Sequence, residues 1–224
     1  MKKFVYLFLA SFCTYTTTNA QTGFQSYVNN INFQSKDFSD IKGSAFSSPD
    51  WAKGTVHLDN NTTYTDLEMK YSDYEDKVLV KKGSDVMEFD KRVKDFTLSV
   101  IKNDVPTLEH FRNGYKNVPG YNENAYFQVL ADGKVQLLKK TLKKIRTDNE
   151  YGSMTTNKSF SSNTHYFLVK DKDQLTTSFK KDKKTVMAFL SDKQVQIDDY
   201  LKANKIDFKN DDDLVKLLTY YNSL

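Results

Sequence analysis

Short apolar runs separated by polar turns dominate the central part of this chain and constrain its fold more than any other feature. In residues 63–71, Leu67, Met69 and Tyr71 alternate with polar residues. Such alternation gives a strand one apolar face and one solvated face. Comparable runs stand at residues 55–58, 78–80, 86–89 and 96–101. Strands at this spacing, joined by short polar turns, predict an antiparallel meander, a rolled sheet or a barrel-like sheet over about residues 54–180.

An Asp-Gly pair at Asp132 and Gly133 marks the clearest hairpin of the sequence. It separates the apolar run 125–130 from residues 134–146, and such a pair between two apolar runs is typical of a two-residue turn. The run 134–146 also suits an amphipathic helix, because its apolar residues recur at helical spacing. The hairpin signal and the β-branched residues favour a strand. The polar residues 147–163 predict a loop, and a further strand is predicted at 165–169.

The apolar period lengthens after Asp182, where a first short helix is predicted to begin. Ser191 and Gln194 stand at capping-box spacing and predict the start of a second helix. Asn204 is the predicted left-handed end of that helix. Asn210, followed by three aspartates, is the predicted cap of a third helix, with carboxylates against its positive end. The expected fold class is therefore α+β, with two or three short packing helices over about residues 182–223.

Residues 1–20 have the order of a secretory signal peptide. Lys2 and Lys3 precede a ten-residue apolar run, and a polar stretch then ends at Ala20. This order predicts cleavage between Ala20 and Gln21, with an irregular lead-in at 21–53 and a single domain at 54–224. The apolar run is too short for a membrane-spanning helix, which needs about 20 residues.

Cys13 lies within the predicted signal peptide. Phe12 and Ala10 are the wrong residues for a lipoprotein signal, so a lipid anchor is not expected. Cleavage would leave a mature chain without cysteine, in which thiol chemistry and disulfides play no part. Loss of Lys2 and Lys3 would leave 31 basic and 29 acidic residues, a net charge of +2. With no other long apolar run, no transmembrane segment is expected, and the protein is predicted to be periplasmic or extracellular.

Motifs that carry catalysis or bind cofactors are not recognisable in the sequence. His57, His110 and His165 could each act as a base, but no serine stands in a nucleophile elbow and no zinc-binding spacing is present. The eight glycines form no phosphate-binding loop. We therefore assign no catalytic, cofactor-binding or metal-binding residue from the sequence. A pair of carboxylates distant in the chain stays open as an alternative.

A cluster of basic residues within 139–146 is a candidate for a binding patch, as is a second lysine-rich stretch at 180–184. Such clusters can hold anionic headgroups or acidic polysaccharides, and the alternative is a solvated edge that discourages strand aggregation. Nucleic acid is not expected as a partner, because export and a mature charge of only +2 disfavour it. The cluster consists of Lys139, Lys140, Lys143, Lys144 and Arg146.

Three stretches of the chain carry motifs that occur together in one group of proteins. The first is GTVHL at 54–58, followed by Tyr64, Asp66, Leu67 and Tyr71; the second is YFQVL at 126–130 with GKV and LLKK after it; the third is DDDLVKLL with YYNSL at 211–224. On these motifs the chain resembles a group of uncharacterised exported proteins common in Bacteroidota. The resemblance implies an envelope or secreted location, and it implies no activity and no functional residue.

The function expected from the sequence is that of a non-enzymatic binding module. The expected partner is an envelope protein or a surface polymer. One alternative is a hydrolase that acts on envelope or nutrient polymers, with carboxylate or histidine chemistry assembled only in the folded protein. Another alternative is a barrel-like carrier of a small apolar ligand, which would need an open apolar cavity.

Overall fold

A computed structural model describes residues 28–29, 38–149, 156–170 and 175–224. Within these residues, twelve strands belong to one sheet and three α-helices follow it. The strands are β1 Val28–Asn29, β2 Ile41–Lys42, β3 Ala52–Leu58, β4 Thr63–Ser72, β5 Lys77–Lys82, β6 Asp85–Phe89, β7 Val93–Lys102, β8 Val105–Arg112, β9 Phe127–Ala131, β10 Val135–Asn149, β11 Thr156–Lys170 and β12 Leu175–Phe179. The helices are α1 Lys183–Phe189, α2 Gln194–Ala203 and α3 Asp211–Ser223.

The strand order is β1-β6-β5-β4-β3-β7-β8-β9-β10-β11-β12, and this order is open at both ends. Neighbours along this path are antiparallel, whereas β2 lies off the path and pairs in parallel with β11. Most connections are hairpins, because short polar turns can join only antiparallel neighbours. The prediction of an α+β fold, with a mainly antiparallel sheet before C-terminal helices, is confirmed.

The sheet rolls until the end of β4 meets β10. On β10, only residues 137–139 pair with strand β9. Beyond that pairing, the backbone N–H of Lys143 donates to the carbonyl of Asp73, in the turn after β4, at 3.2 Å. Inside the roll, the ring of Tyr71 on β4 lies 4.9 Å from the ring of Phe111 on β8. Residues from distant strands therefore face one interior.

Three buried clusters stabilise this arrangement. The first is formed by residues of strands β3 to β8, and in it the rings of Phe96 and Phe111 stack with their centres 4.8 Å apart. The second packs the three helices against β9 to β12 and includes Leu137, Leu168 and Leu217. The third lies on the opposite face of β10 and β11, where the segment 113–126 covers Leu138 and Phe167. Strands β10 and β11 are thus covered on both faces along the part of their length that belongs to the core.

The hairpin at Asp132 and Gly133 is confirmed, and all but the first residue of the run 134–146 lie in strand β10. The loop predicted for 147–163 is wrong over most of its length, because β10 runs to Asn149 and β11 begins at Thr156. Strand β8 was not predicted. Pro106, its second residue, pairs with Ile101 near the hairpin turn, where a missing N–H is tolerated.

Helix boundaries follow the sequence at three of the four predicted ends, and α2 ends at Ala203 with Asn204 as its C-cap. The Asp182 side chain caps α1, and the Asn210 side chain accepts hydrogen bonds from the N–H groups of Asp212 and Asp213 at the start of α3. The capping box at Ser191 is wrong, because residues 191–193 form a 3-10 turn and α2 begins at Gln194 without a side-chain cap. Asn204 is not left-handed: its backbone is extended with φ −126°.

The predicted signal peptide, Cys13 and the cleavage site at Ala20 and Gln21 lie outside the described residues. Of the predicted lead-in at 21–53, the structure describes 28–29 and 38–53, which include β1, β2 and the beginning of β3. None of the helices in the described part of the chain combines the length and the apolar character needed to cross a membrane.

Candidate functional site

A buried lysine stands at the centre of the most unusual polar cluster of the fold. Lys140 is only 2 % exposed. Its ammonium group donates to the hydroxyl of Tyr71 at 2.9 Å and lies 2.7 Å from a carboxylate oxygen of Asp76. The Tyr71 hydroxyl in turn donates to the same oxygen of Asp76 at 2.5 Å. The three side chains therefore form a closed hydrogen-bonded triangle.

Strand alternation explains how these residues meet. Lys140 shares a face of β10 with Leu138, and Tyr71 shares a face of β4 with Met69; all four side chains are buried. Asp76 lies in the turn between β4 and β5 with φ +57°, a left-handed conformation that Asp adopts more readily than most residues. The rolling of the sheet brings β4 and β10 together, and the triangle forms where they meet.

Burial makes the triangle electrostatically unusual. Desolvation lowers the pKa of Lys140, although the negative charge of Asp76 opposes this shift. Desolvation and then the neighbouring Asp76 raise the pKa of Tyr71 well above its ordinary value. The Lys140 ammonium also lies 5.7 Å and 5.9 Å from the ring centres of Tyr71 and Phe127, within the range of cation–π attraction.

A second charged pair lies beside the triangle. The ammonium group of Lys143 is 3.6 Å from a carboxylate oxygen of Asp73, and it also donates to the carbonyl of Phe46. Asp73 is 5 % exposed. Burial raises the pKa of Asp73 to about 6, even though Lys143 and Lys140 both act to lower it. A carboxyl group with such a pKa can give up or accept a proton near neutral pH.

Strand β8 supplies a third charged pair. Glu109 is 8 % exposed, and its carboxylate lies 2.6 Å from the ammonium group of Lys102. The side-chain amide of Gln128 donates to Glu109 at 3.1 Å. Glu109 points to the interior, whereas its neighbour His110 lies on the other face of β8 and approaches Asp95. The two adjacent residues therefore do not act as a pair, as expected for neighbours in a strand.

Apart from Asp76, the side chains of the triangle and of the two charged pairs line one cleft of about 230 Å³ at the end of the roll. The cleft is half open, and its wall combines the charged side chains with hydroxyl, amide and aromatic groups. Convergence of buried titratable groups on an open cavity is typical of a binding or active site. The lining residues are Ser47, Tyr71, Asp73, Lys102, Glu109, Phe111, Tyr126, Gln128, Lys139, Lys140, Thr141 and Lys143.

The basic residues named from the sequence are divided between the two faces of β10. Lys140 and Lys143 reach the cleft, as described above. Lys139 faces the helices, where its ammonium group lies 3.0 Å from Asp211. Arg146 pairs with Asp148 at 2.8 Å near the far end of the strand, and Lys144 is exposed. The structure therefore brings three of the five residues, Lys139, Lys140 and Lys143, to one cleft, and each of them has a carboxylate partner.

The histidines lie away from the cleft. His57 Nδ1 is 2.6 Å from an oxygen of Asp95, and His110 Nε2 is 3.6 Å from the same oxygen. Desolvation, followed by the charge of Arg112, lowers the pKa of His110. His165 contacts the hydroxyl of Tyr121 and the amide of Asn163. Across the residues that the structure describes, no three His, Cys, Asp or Glu side chains are arranged to hold a metal ion.

Sequence reasoning named Lys140 and Lys143 but missed their carboxylate partners. Asp73 and Asp76 follow directly after the alternating run of β4, in an acidic turn that reads DYED. Tyr71 appears in the sequence as an ordinary apolar-face residue. Glu109 stands in a stretch for which the sequence predicts no strand. An acidic turn at the end of an apolar-faced strand was the one available signal, and many surface turns share it.

The chain was compared with protein-family models, with curated proteins and with solved structures, and none of them matches it. The cleft must therefore be interpreted from its own geometry.

Proposed function

We propose that this protein is an exported binding module of the periplasm or the extracellular space, and that its ligand occupies the cleft. The observation that carries this proposal is the convergence of the buried Lys140, Asp73 and Glu109 on one open cavity. Buried ion pairs are poor stabilisers, and apolar residues of similar volume often stabilise a fold equally well or better. Three ion pairs lie beside this opening, and each has one nearly buried partner: Lys140, Asp73 or Glu109. They therefore support recognition of a ligand rather than packing alone.

The binding proposal can be tested by filling the cleft. Thr141 lines the cleft, and Thr147 lies on the same strand but is exposed and remote from it. The full-length protein, exported and purified, is immobilised and exposed to envelope extract, and retained polymers and proteins are identified by mass spectrometry. We expect a component that wild type and Thr147→Trp retain and Thr141→Trp loses. Retention of nothing, or equal retention by both variants, would overturn the proposal.

Export is proposed on the basis of residues 1–20 and of the resemblance to exported proteins of Bacteroidota. Its test is N-terminal sequencing of the protein recovered from periplasm or medium. We expect the mature chain to begin at Gln21. A recovered chain that begins at Met1 would contradict export and would bring Cys13 back as a residue of the mature protein.

A hydrolase is the second candidate function, and a specific observation favours it. Asp73, whose pKa is raised to about 6, and Glu109, which pairs with an ammonium group, line the same cleft. An acidic carboxyl beside a second carboxylate is the arrangement that glycoside hydrolysis uses. The test is turnover of chromogenic glycosides: activity lost in Asp73→Asn, with the ligand still bound, would establish the hydrolase. The charged wall does not suit the third candidate, a carrier of apolar ligands.

A further inference from the structure

We infer that the ligand of the cleft is a neutral saccharide, with one sugar residue hydrogen-bonded to the ion pairs Asp73–Lys143 and Glu109–Lys102. This inference rests on the proposed binding function and adds the chemical class of the ligand. It follows from three properties of the cleft: the pairing of its charged groups, the hydrogen-bonding groups that its wall presents and its size.

Each charged side chain that lines the cleft has a partner of opposite charge, although two of these partners, Asp76 and Asp211, lie outside the cleft wall. Lys139 lies 3.0 Å from Asp211. Lys102 lies 2.6 Å from Glu109, Lys140 lies 2.7 Å from Asp76, and Lys143 lies 3.6 Å from Asp73. A ligand with a net charge would find no unpaired charge of opposite sign among these groups, and it would have to compete with an existing ion pair. Desolvating a charged ligand without a new partner is costly, so the cleft favours a ligand without net charge.

Hydroxyl groups suit a wall of paired charges. A hydroxyl can accept a hydrogen bond from an ammonium group and donate one to a carboxylate at the same time. It therefore adds to an ion pair without separating it, and hydrogen bonds to charged groups are the stronger kind. The Asp73–Lys143 pair, at 3.6 Å, is wider than a direct hydrogen bond. Gln128, Ser47 and Thr141 offer further donors and acceptors around the same opening.

The size and the apolar part of the wall suit one sugar ring. A volume of about 230 Å³ equals roughly eight water molecules at about 30 Å³ each, which is room for a single ring with its hydroxyl groups. Phe111 and Tyr126 contribute aromatic surface to the cleft. Aromatic rings combine a large apolar surface with a defined geometry, and the C–H faces of a sugar ring can pack against them.

The test is a glycan array that carries neutral, uronate and sulfated glycans, with free amino acids and inorganic phosphate measured separately by calorimetry. We expect a neutral glycan to bind, with an affinity that changes less than about twofold between low and high salt, because screening acts on net charges. Asp73→Asn and Lys143→Met should each weaken it roughly tenfold through loss of a charge-assisted hydrogen bond. Lys202→Met, which removes an exposed helical ion pair with Asp199, should leave the affinity unchanged.

Three results would overturn the saccharide inference. Binding of only uronates, sulfated glycans, phosphate or amino acids, with loss in Lys143→Met, would overturn the ligand class and leave the proposed binding function standing. Binding of a neutral glycan that neither cleft variant weakens would overturn the assigned site. Binding of none of the probes would overturn the inference, and the extract experiment with Thr141→Trp would then decide whether the proposed function fails with it. Circular dichroism of each variant separates loss of binding from loss of folding.

Discussion

The ammonium group of Lys140 lies 2.7 Å from the Asp76 carboxylate, which joins the middle of β10 to the turn between β4 and β5. Lys140 is nearly inaccessible, whereas the Asp76 side chain keeps 29 % of its exposure. The two partners therefore respond differently to mutation, because only the carboxylate can be rehydrated after the other is removed.

Asp76→Asn should destabilise the protein by about 3 kcal/mol, because it leaves a buried ammonium without a compensating charge. Asn also tolerates the left-handed backbone of this turn, so the change isolates the charge. Lys140→Met should cost only about 1 kcal/mol, since it replaces the ammonium with an apolar chain and leaves Asp76 partly hydrated. Urea unfolding measures both values. Equal losses of stability in the two variants would contradict a buried, charged Lys140. The double variant Asp76→Asn/Lys140→Met should be more stable than Asp76→Asn alone.

The stability of the protein should depend on pH through the titration of the Asp73 carboxyl group. Its pKa is about 6 in the folded protein against an ordinary value of 3.8, so the folded state holds this proton more tightly than the unfolded state does. The contribution of Asp73 to stability is therefore greatest below about pH 4 and is lost as the pH rises through about 6. Over that window the loss is about 3 kcal/mol at most.

Asp73→Asn removes this titration and tests it. Because wild type loses stability as the pH rises and the variant lacks this loss, the free energy of unfolding of the variant minus that of wild type should increase between about pH 4 and pH 7. Chemical unfolding of both proteins at several pH values in this window gives the difference between their free energies of unfolding. The titration of the other groups largely cancels in this difference. A difference that stays constant across the window would contradict the raised pKa.

Gly54 on β3 should tolerate no side chain. A Cβ atom there would lie 2.3 Å from the carbonyl oxygen of Thr97 on β7 and 2.9 Å from the sulfur of Met69 on β4. Met69 could move, but a backbone carbonyl of a central strand cannot move without breaking strand pairing. Gly54→Ala should therefore destabilise the protein by about 3 kcal/mol, as overpacking in cores does.

Gly120→Ala is the matched comparison for Gly54→Ala. Gly120 has φ +83° and no atom near the position of a Cβ, so the substitution adds backbone strain without a clash. We expect a loss of about 1 kcal/mol, the strain of a left-handed residue with a side chain. Thermal or urea unfolding of the two variants compares them directly. A larger loss of stability in Gly120→Ala than in Gly54→Ala would contradict the close approach of Thr97 and Met69 to Gly54.

The side chain of Asn222, near the end of α3, connects the last helix to the hairpin between β9 and β10 through hydrogen bonds. Its side-chain oxygen accepts from the N–H of Val135 at 2.8 Å, and its amide donates to the carbonyls of Val135 and Asp132 at 2.9 Å and 3.2 Å. Asn222→Ala leaves these backbone groups without this partner and should cost about 2 kcal/mol. Asn204→Ala, which removes an exposed hydrogen bond to Tyr200, should cost less than about 1 kcal/mol. Hydrogen exchange at Val135 should quicken only in the first variant.

The sequence allowed good predictions wherever one face of an element is buried and the other is solvated. Alternation located β4, the Asp-Gly pair located the hairpin before β10, and the Asn210 side chain located the start of α3. These signals are local, because they depend on the pleat of a strand, the dihedral angles of a turn or the unpaired N–H groups of a helix end. The last three residues of β10 and the first half of β11 were not predicted as strand. A strand pair that extends beyond the core carries few apolar residues, so no alternating pattern reveals it.

Strand β8 escaped for a different reason. Its inward positions include Glu109 together with Phe111, and Leu108 is exposed on its other face. The usual pattern of apolar residues inside and polar residues outside is therefore disturbed at the strand that contributes a carboxylate to the cleft. Departures from the simple pattern are expected at functional sites.

The sequence by itself determined the class of the fold, because periodicity, turns and caps depend on neighbours in the chain. Only the tertiary structure decided that Lys140 and Lys143 lie in a cleft rather than on a basic edge. Their partners, Asp76 and Asp73, stand in a turn that meets β10 only when the sheet rolls, and no local pattern encodes that meeting. Whether a lysine is a solvated charge or a buried one depends on the strand that arrives beside it, and this is a property of the whole fold.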